Sequence, residues 1–289
     1  MSKYNCVVQS HLTLAFPIKT SADRKALEQS LPSLTSDVFK AADAIGTLHY
    51  SWFVVLSDKT LLFLADFDGE VEKLLQDLAQ HLGPVLDAIL GHVDNPPPTP
   101  VAGNRDAFVE WATGNQIDPI ATYTAYPGAT VQKIKSQTAA EAITAHASSS
   151  QQFPFTVILP IKSRVSAIAV ELLLERREQK LAETSGRISS LHFAHFVPLE
   201  DNQIGYFTVY DGPFEKYIQD FAEKLGPIFD RIFKYVIDPP PTPSAKNADA
   251  VTKWLAAHTL SAIGFYAAYP GLRVQDVEVL MADALVMRR

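Results

Sequence analysis

The chain is poor in the residues from which most recognisable sites are built. It has one cysteine, Cys6, and three methionines in 289 residues. A lone thiol excludes an intrachain disulfide and any site assembled from clustered cysteines. No lysine- or arginine-rich run occurs and the formal net charge is -7. Nucleic acid is therefore not an expected partner, because phosphate binding needs a concentrated basic face. No apolar run approaches the roughly 18 residues of a membrane span. The stretch Met1 to Ser10 lacks the basic-then-apolar order of a signal peptide. HExxH, GxSxG and P-loop patterns are missing, as is any carboxylate–histidine set with zinc spacing, so no metal site is expected. What remains is the profile of a globular, cytoplasmic protein with 47% hydrophobic residues. The expected partner is a small molecule, with no membrane association, and the expected state is a monomer or homodimer.

What the chain does contain is a repeat. Pro17-Ile18-Lys19 returns as Pro160-Ile161-Lys162, Leu48-His49 as Leu191-His192, and Asp68-Gly69 as Asp211-Gly212. Leu82-Gly83-Pro84 returns as Leu225-Gly226-Pro227, the run Pro96 to Pro100 as Pro239 to Pro243, and Trp111 as Trp254. Ala125-Tyr126-Pro127-Gly128 returns as Ala268-Tyr269-Pro270-Gly271, and every pair is 143 positions apart. A single gapless offset is the signature of tandem duplication, with modules expected at 1–143 and 144–289.

Each module reads in the same order. Leu12 to Ile18 and Phe155 to Ile161 alternate as strands. Helical stretches follow at Ser21 to Ala44 and Val165 to Glu183. Two β-rich segments, Leu48 to Leu56 and Thr60 to Phe67, flank the turn Ser57-Asp58-Lys59, which corresponds to Glu200-Asp201-Asn202. Asp68 is placed to cap the next helix, whose apolar stripe runs Val71, Leu74, Leu75, Leu78 and Leu82. Gly83-Pro84 should break that helix, Val85 to Val93 resumes it, and a short helix covers Asp106 to Trp111. Ile120 to Tyr126 supplies the last strand. The linker between modules is read at Ser136 to Gln152, a helix ending in Ser148-Ser149-Ser150. The order β-α-β-β-α-β is that of the ferredoxin-like module. The expected fold class is α+β, with two tandem ferredoxin-like modules packed as a pseudo-twofold α+β barrel around a pocket.

Candidate chemistry follows from polar groups on strands. Alternation puts His49 with Ser51 and Phe53 on one face, and Tyr50 with Trp52 on the other. His49 and His192 are read either as buried rings bonded to backbone carbonyls or as a pair for acid–base work or ligation. Copy differences mark asymmetric candidates: Trp52 becomes His195, Ser51 becomes Ala194 and Asp66 becomes Val209. His192 and His195, three apart, point to opposite faces unless a bulge intervenes. The catalytic candidates are His195, His192 and His49, and the ligand-binding candidates are Tyr126, Tyr269, Trp52 and Phe207. The proline runs are read as rigid connectors or polyproline-II ligands, and Trp111 and Trp254 as core anchors.

The tandem ferredoxin-like pattern resembles the dimeric α+β barrel superfamily, in particular the dye-decolorising peroxidase and chlorite dismutase group. Peroxidases of that group carry a GxxDG motif, approached here by Ala65-Asp66-Phe67-Asp68-Gly69 and Thr208-Val209-Tyr210-Asp211-Gly212, each without the first glycine. The resemblance implies an oxidoreductase of small apolar or aromatic molecules, with haem as a possible cofactor and the motif aspartate assisting peroxide cleavage. The alternatives are a non-catalytic small-molecule-binding protein and a structural interaction module.

Overall fold

The computed structural model describes residues 8–140 and 152–286. Cys6 and the run Ser148-Ser149-Ser150 lie outside the described residues. In chain order the first half forms β1 (Gln9–Pro17), α1 (Ser21–Ile45), β2 (Leu48–Val55), β3 (Thr60–Asp68), α2 (Val71–His81) and α3 (Gly83–Leu90). It continues with α4 (Arg105–Gly114), β4 (Ala121–Thr124) and α5 (Val131–Ala140). The second half forms β5 (Gln152–Pro160), α6 (Arg164–Glu175), α7 (Glu178–Ser185), β6 (Leu191–Leu199), β7 (Gln203–Asp211), α8 (Phe214–Lys224) and α9 (Gly226–Ile232). It ends with α10 (Ala248–Ala257), β8 (Thr259–Leu260), β9 (Ile263–Ala267) and α11 (Val274–Val286). No described helix is long and apolar enough to cross a membrane.

These elements form an α+β protein with two antiparallel sheets, ordered β1-β3-β2-β9 and β4-β6-β7-β5-β8. The compact units do not follow the two halves of the sequence. The first unit takes its described residues from Met1–Ile117, Pro127–Glu141 and Ser261–Tyr269; the second from Asp118–Tyr126, Ala142–Leu260 and Pro270–Arg289. The strand expected to close the first module, β4, pairs with β6, and its repeat β9 pairs with β2. Each sheet thus receives one strand from the other half of the sequence. Hydrophobic alternation specifies which face of a strand is buried but not which sheet it joins.

The register sorts the side chains onto two faces, since directly opposite residues of an antiparallel pair share a face. In the first unit Leu12, Leu14 and Phe16 lie with Ala65, Phe63 and Leu61. In the second, Phe155, Val157 and Leu159 join Tyr217, Ile218 and Phe221 of α8 in one buried cluster. Each fully buried side chain of this kind contributes about 1.5–3 kcal/mol. The helix breaks at Gly83-Pro84 and Gly226-Pro227 occur as expected, with proline in the first turn of α3 and α9.

Two local expectations are corrected. The helix expected over Val165 to Glu183 is two helices, interrupted at Arg176-Arg177, whereas its first-half counterpart α1 is continuous. Asp68 does not cap α2: the residue before that helix is Glu70, with no side-chain cap bond. Gly69 and Gly212 follow the aspartates at φ 98 and 84 degrees, left-handed values that favour glycine.

Candidate functional site

His49 is the inserted residue of a β-bulge in β2. Leu48 lies opposite Phe67 and Tyr50 opposite Asp66. His192 occupies the same position in β6, between Leu191 opposite Tyr210 and Phe193 opposite Val209. A bulge re-aims the inserted side chain, so strict alternation from His49 to Ser51 does not hold. The carbonyls of His49 and His192 accept the N–H groups of Ala268 and Ala125, both at 2.9 Å.

The re-aimed imidazoles complete two matching chains. His49 Nδ1 lies 2.7 Å from the Tyr269 hydroxyl, and His49 Nε2 lies 2.9 Å from Asp68 Oδ1. Asp68 Oδ2 accepts the Val131 N–H at 2.7 Å, at the start of α5. In the second unit Tyr126 Oη and His192 Nδ1 are 2.8 Å apart, and His192 Nε2 lies 3.2 Å from Asp211 Oδ2. Asp211 Oδ2 accepts the Val274 N–H at 2.9 Å, at the start of α11. Because a carboxylate only accepts, His49 donates from Nε2 to Asp68, whereas His192 Nε2 meets Asp211 as a close polar contact. The aspartates therefore cap helices some 63 residues downstream rather than those that follow them. A carboxylate at a helix N-terminus is favoured by the exposed N–H groups and the helix dipole.

Both rings are fully buried, and Tyr126 and Tyr269 are buried as well. A haem ligand must offer a nitrogen lone pair to iron. In His49 and His192 both ring nitrogens already face a tyrosine hydroxyl or an aspartate carboxylate, so these residues do not fit haem. Asp68 and Asp211, which the peroxidase resemblance would assign to peroxide cleavage, are likewise committed to histidine and helix terminus.

His195 lies opposite Phe207 and Thr122 on the interior strand β6, buried and away from any sheet edge. Its ring centroid is 5.7 Å from that of Phe207. Phe207 in turn folds over Gly205, where a Cβ would come within 2.5 Å of its ring. The expected ligand-binding residue Phe207 is thus fully buried in the second sheet, and Trp52 is fully buried in the first.

A further polar pair occurs in the first unit. Across its sheet, one row reads His11, Asp66, Tyr50, Ala267. His11 Nδ1 and Asp66 Oδ1 form a short hydrogen bond. The Asp66 side chain is fully buried, while His11 keeps 8% of its side-chain surface. The next row carries Thr13, Leu64 and Trp52, and Phe265 of β9 stacks on Tyr50 at 6.0 Å and meets Trp52 edge-on at 6.0 Å. The pair therefore sits beside an aromatic wall on the face opposite Leu12, Leu14 and Phe16. Sequence reading marked Asp66 as differing between copies but did not find His11. The missing signal was the β1–β3 register, which pairs the two residues directly.

No family model matches the chain, and no curated protein matches it. Among solved structures, it is similar to a presumed monooxygenase from Fusobacterium nucleatum, at 11% identity and TM-score 0.43, over 93% of this chain and 98% of that one. It is similar to an anthrone oxidase-like protein at 11% identity and TM-score 0.34, over 92% and 96%. A presumed monooxygenase from Lactobacillus acidophilus shows 9% identity and TM-score 0.37, over 90% and 98%.

Proposed function

We propose that this chain is an oxidoreductase of a small aromatic molecule, and that His11 and Asp66 form its general base. The observation that supports this reading is the confinement of the pair to one copy. At the equivalent positions the second copy has Pro154 and Val209, in a row that reads Pro154, Val209, Phe193, Thr124. A ferredoxin-like sheet of this ancestry folds without the pair, and burying a carboxylate carries a desolvation cost of several kcal/mol. A buried, charge-oriented imidazole that the fold does not require is the arrangement expected of a functional group.

The chemistry follows from the bond at Nδ1. Donation to Asp66 orients the ring and stabilises the imidazolium that forms when Nε2 takes a proton. Tyr50 and Trp52 are fully buried beside the pair, which leaves the half-buried Phe265 as the ring of that wall that a flat substrate can reach. An activated methylene of such a substrate, once ionised, is oxidised by dioxygen: the carbon becomes a carbonyl and the second oxygen atom leaves as water. On this reading His49 and His192 position the exchanged strands rather than touch substrate.

Oxygen uptake over a panel of polycyclic phenols and anthrone-type ketones tests the reading, with His11→Gln and Asp66→Asn as variants. Loss of a general base should lower the rate by about 10²- to 10⁴-fold. Tight binding without oxygen uptake in the wild type would favour the binding-protein alternative, and equal rates in wild type and variants would remove the pair from the mechanism.

A further inference from the structure

The second copy differs from the first along the outer face of its first helix. Val165, Ile168 and Leu172 of α6 are exposed, Val165 at 78%. They follow i, i+3, i+7 spacing, which places them on one face of the helix. Their counterparts are Ala22, Lys25 and Gln29. The stripe runs into a groove of about 590 Å³ whose apolar wall is Ala169, Leu172 and Leu173 and whose charged wall is Arg176, Arg177, Lys180 and Arg231. In the first copy the four cationic positions hold Ser33, Leu34, Asp37 and Ala88. Among the described residues Lys180 pairs with Glu183 at 3.6 Å, while Arg176, Arg177 and Arg231 make no ion pair.

Cations near helix C-termini are favoured by the helix dipole, which accounts for Arg176 at the end of α6 and Arg231 in the last turn of α9. It does not account for the exposed apolar stripe leading to them. Nor does a packing need shared by both copies, since the first copy lacks both features. In a chain of net charge -7, a four-cation wall beside an uncovered apolar face is the complement of a molecule with an anionic head and an apolar tail.

We infer that this groove binds one molecule of a free anionic amphiphile, its carboxylate or phosphate head on the arginines and its tail along Leu172, Ile168 and Val165. Arginine forks match the planar oxygens of such heads. The stripe covers about 10 Å of helix, at 1.5 Å per residue, enough for a medium-length alkyl chain. The volume falls in the usual range for small-molecule sites, about 300–1,000 Å³. The inference is independent of the His11–Asp66 pair, which lies in the other unit.

Titration calorimetry of the intact chain with dodecanoate and with dodecyl phosphate, both below their micellar concentrations, tests it. The expected result is saturable one-to-one binding, weakened about tenfold or more in the double variant Arg176→Gln/Arg177→Gln and clearly weakened in Leu172→Gln, which restores the first-copy residue. Because Leu172 is exposed, that variant remains informative if the arginine variant folds poorly. Dodecanol binding as tightly as dodecanoate would overturn the role of the cations. Heat exchange only with phosphatidylglycerol vesicles, or no binding at all, would overturn the inference outright.

Discussion

The two units share a fold and an ancestor, yet the same row of the same sheet reads His11, Asp66, Tyr50 in one and Pro154, Val209, Phe193 in the other. The Tyr–His–Asp chains are present in both, equally buried, with the histidine–aspartate contact a hydrogen bond in the first copy and a looser 3.2 Å approach in the second. The contrast separates two kinds of buried polarity. Groups retained in both copies connect an inserted histidine, an exchanged strand and a helix terminus, all features of the fold. The His11–Asp66 pair has no counterpart in the second copy, which holds Pro154 and Val209 at those positions.

The largest effect should come from breaking that asymmetry on one side only. His11→Leu leaves the Asp66 carboxylate buried without its imidazole and should cost about 3–5 kcal/mol, read as a shift in the urea midpoint. The double variant His11→Leu/Asp66→Val gives the first unit the apolar character of the second and should recover most of that loss, because replacing a buried ion pair with apolar groups is often neutral or stabilising by about 1–4 kcal/mol. Oxygen uptake should stay abolished in the double variant. Recovery of stability together with activity would show that the pair has no role in chemistry.

The retained chains should respond equally. Asp68→Ala and Asp211→Ala each remove a histidine partner and a helix cap, and each should cost about 2–3 kcal/mol, as hydrogen bonds to charged groups do. A large difference between these two variants would break the equivalence of the copies. Tyr269→Phe and Tyr126→Phe remove one neutral hydrogen bond each and should cost about 1 kcal/mol, measurable by chemical denaturation.

The smallest effect at neutral pH is the most specific to one unit. Burial pushes the Tyr217 and Tyr210 phenols up to about 12 and holds that of Tyr206 well above its ordinary value. The corresponding first-copy residues are Leu74, Phe67 and Phe63. A raised phenol pKa in the folded state favours the neutral form, so stability is intact below about pH 10 and falls as pH rises from there towards about 12. Tyr266 of the first unit is also raised, by burial and by its bond to Asp43. Alkaline unfolding should soften the second unit first, seen as earlier loss of amide protection there. Simultaneous loss in both units would contradict it.

Much of this architecture was legible in the sequence. The offset of 143, the strand alternation and the Gly-Pro breaks are local signals, and local signals survive duplication intact. The exchange of β4 and β9 was not legible, because Ala121–Thr124 and Ile263–Ala267 have the same alternation whichever sheet receives them. The bulges at His49 and His192 were hidden for a related reason: an inserted residue is defined only against the opposite strand. His11 stood outside every motif, and only its register with Asp66 gives it a role.

The strand exchange also has a consequence for synthesis. The first sheet cannot close until β9 emerges, and Tyr269 joins His49 from 220 residues further along the chain. At about 5–20 residues per second on the ribosome, β2 stays an open edge for tens of seconds. Unpaired edges invite pairing with other chains, so the nascent first half should depend on chaperone protection until the last strand arrives.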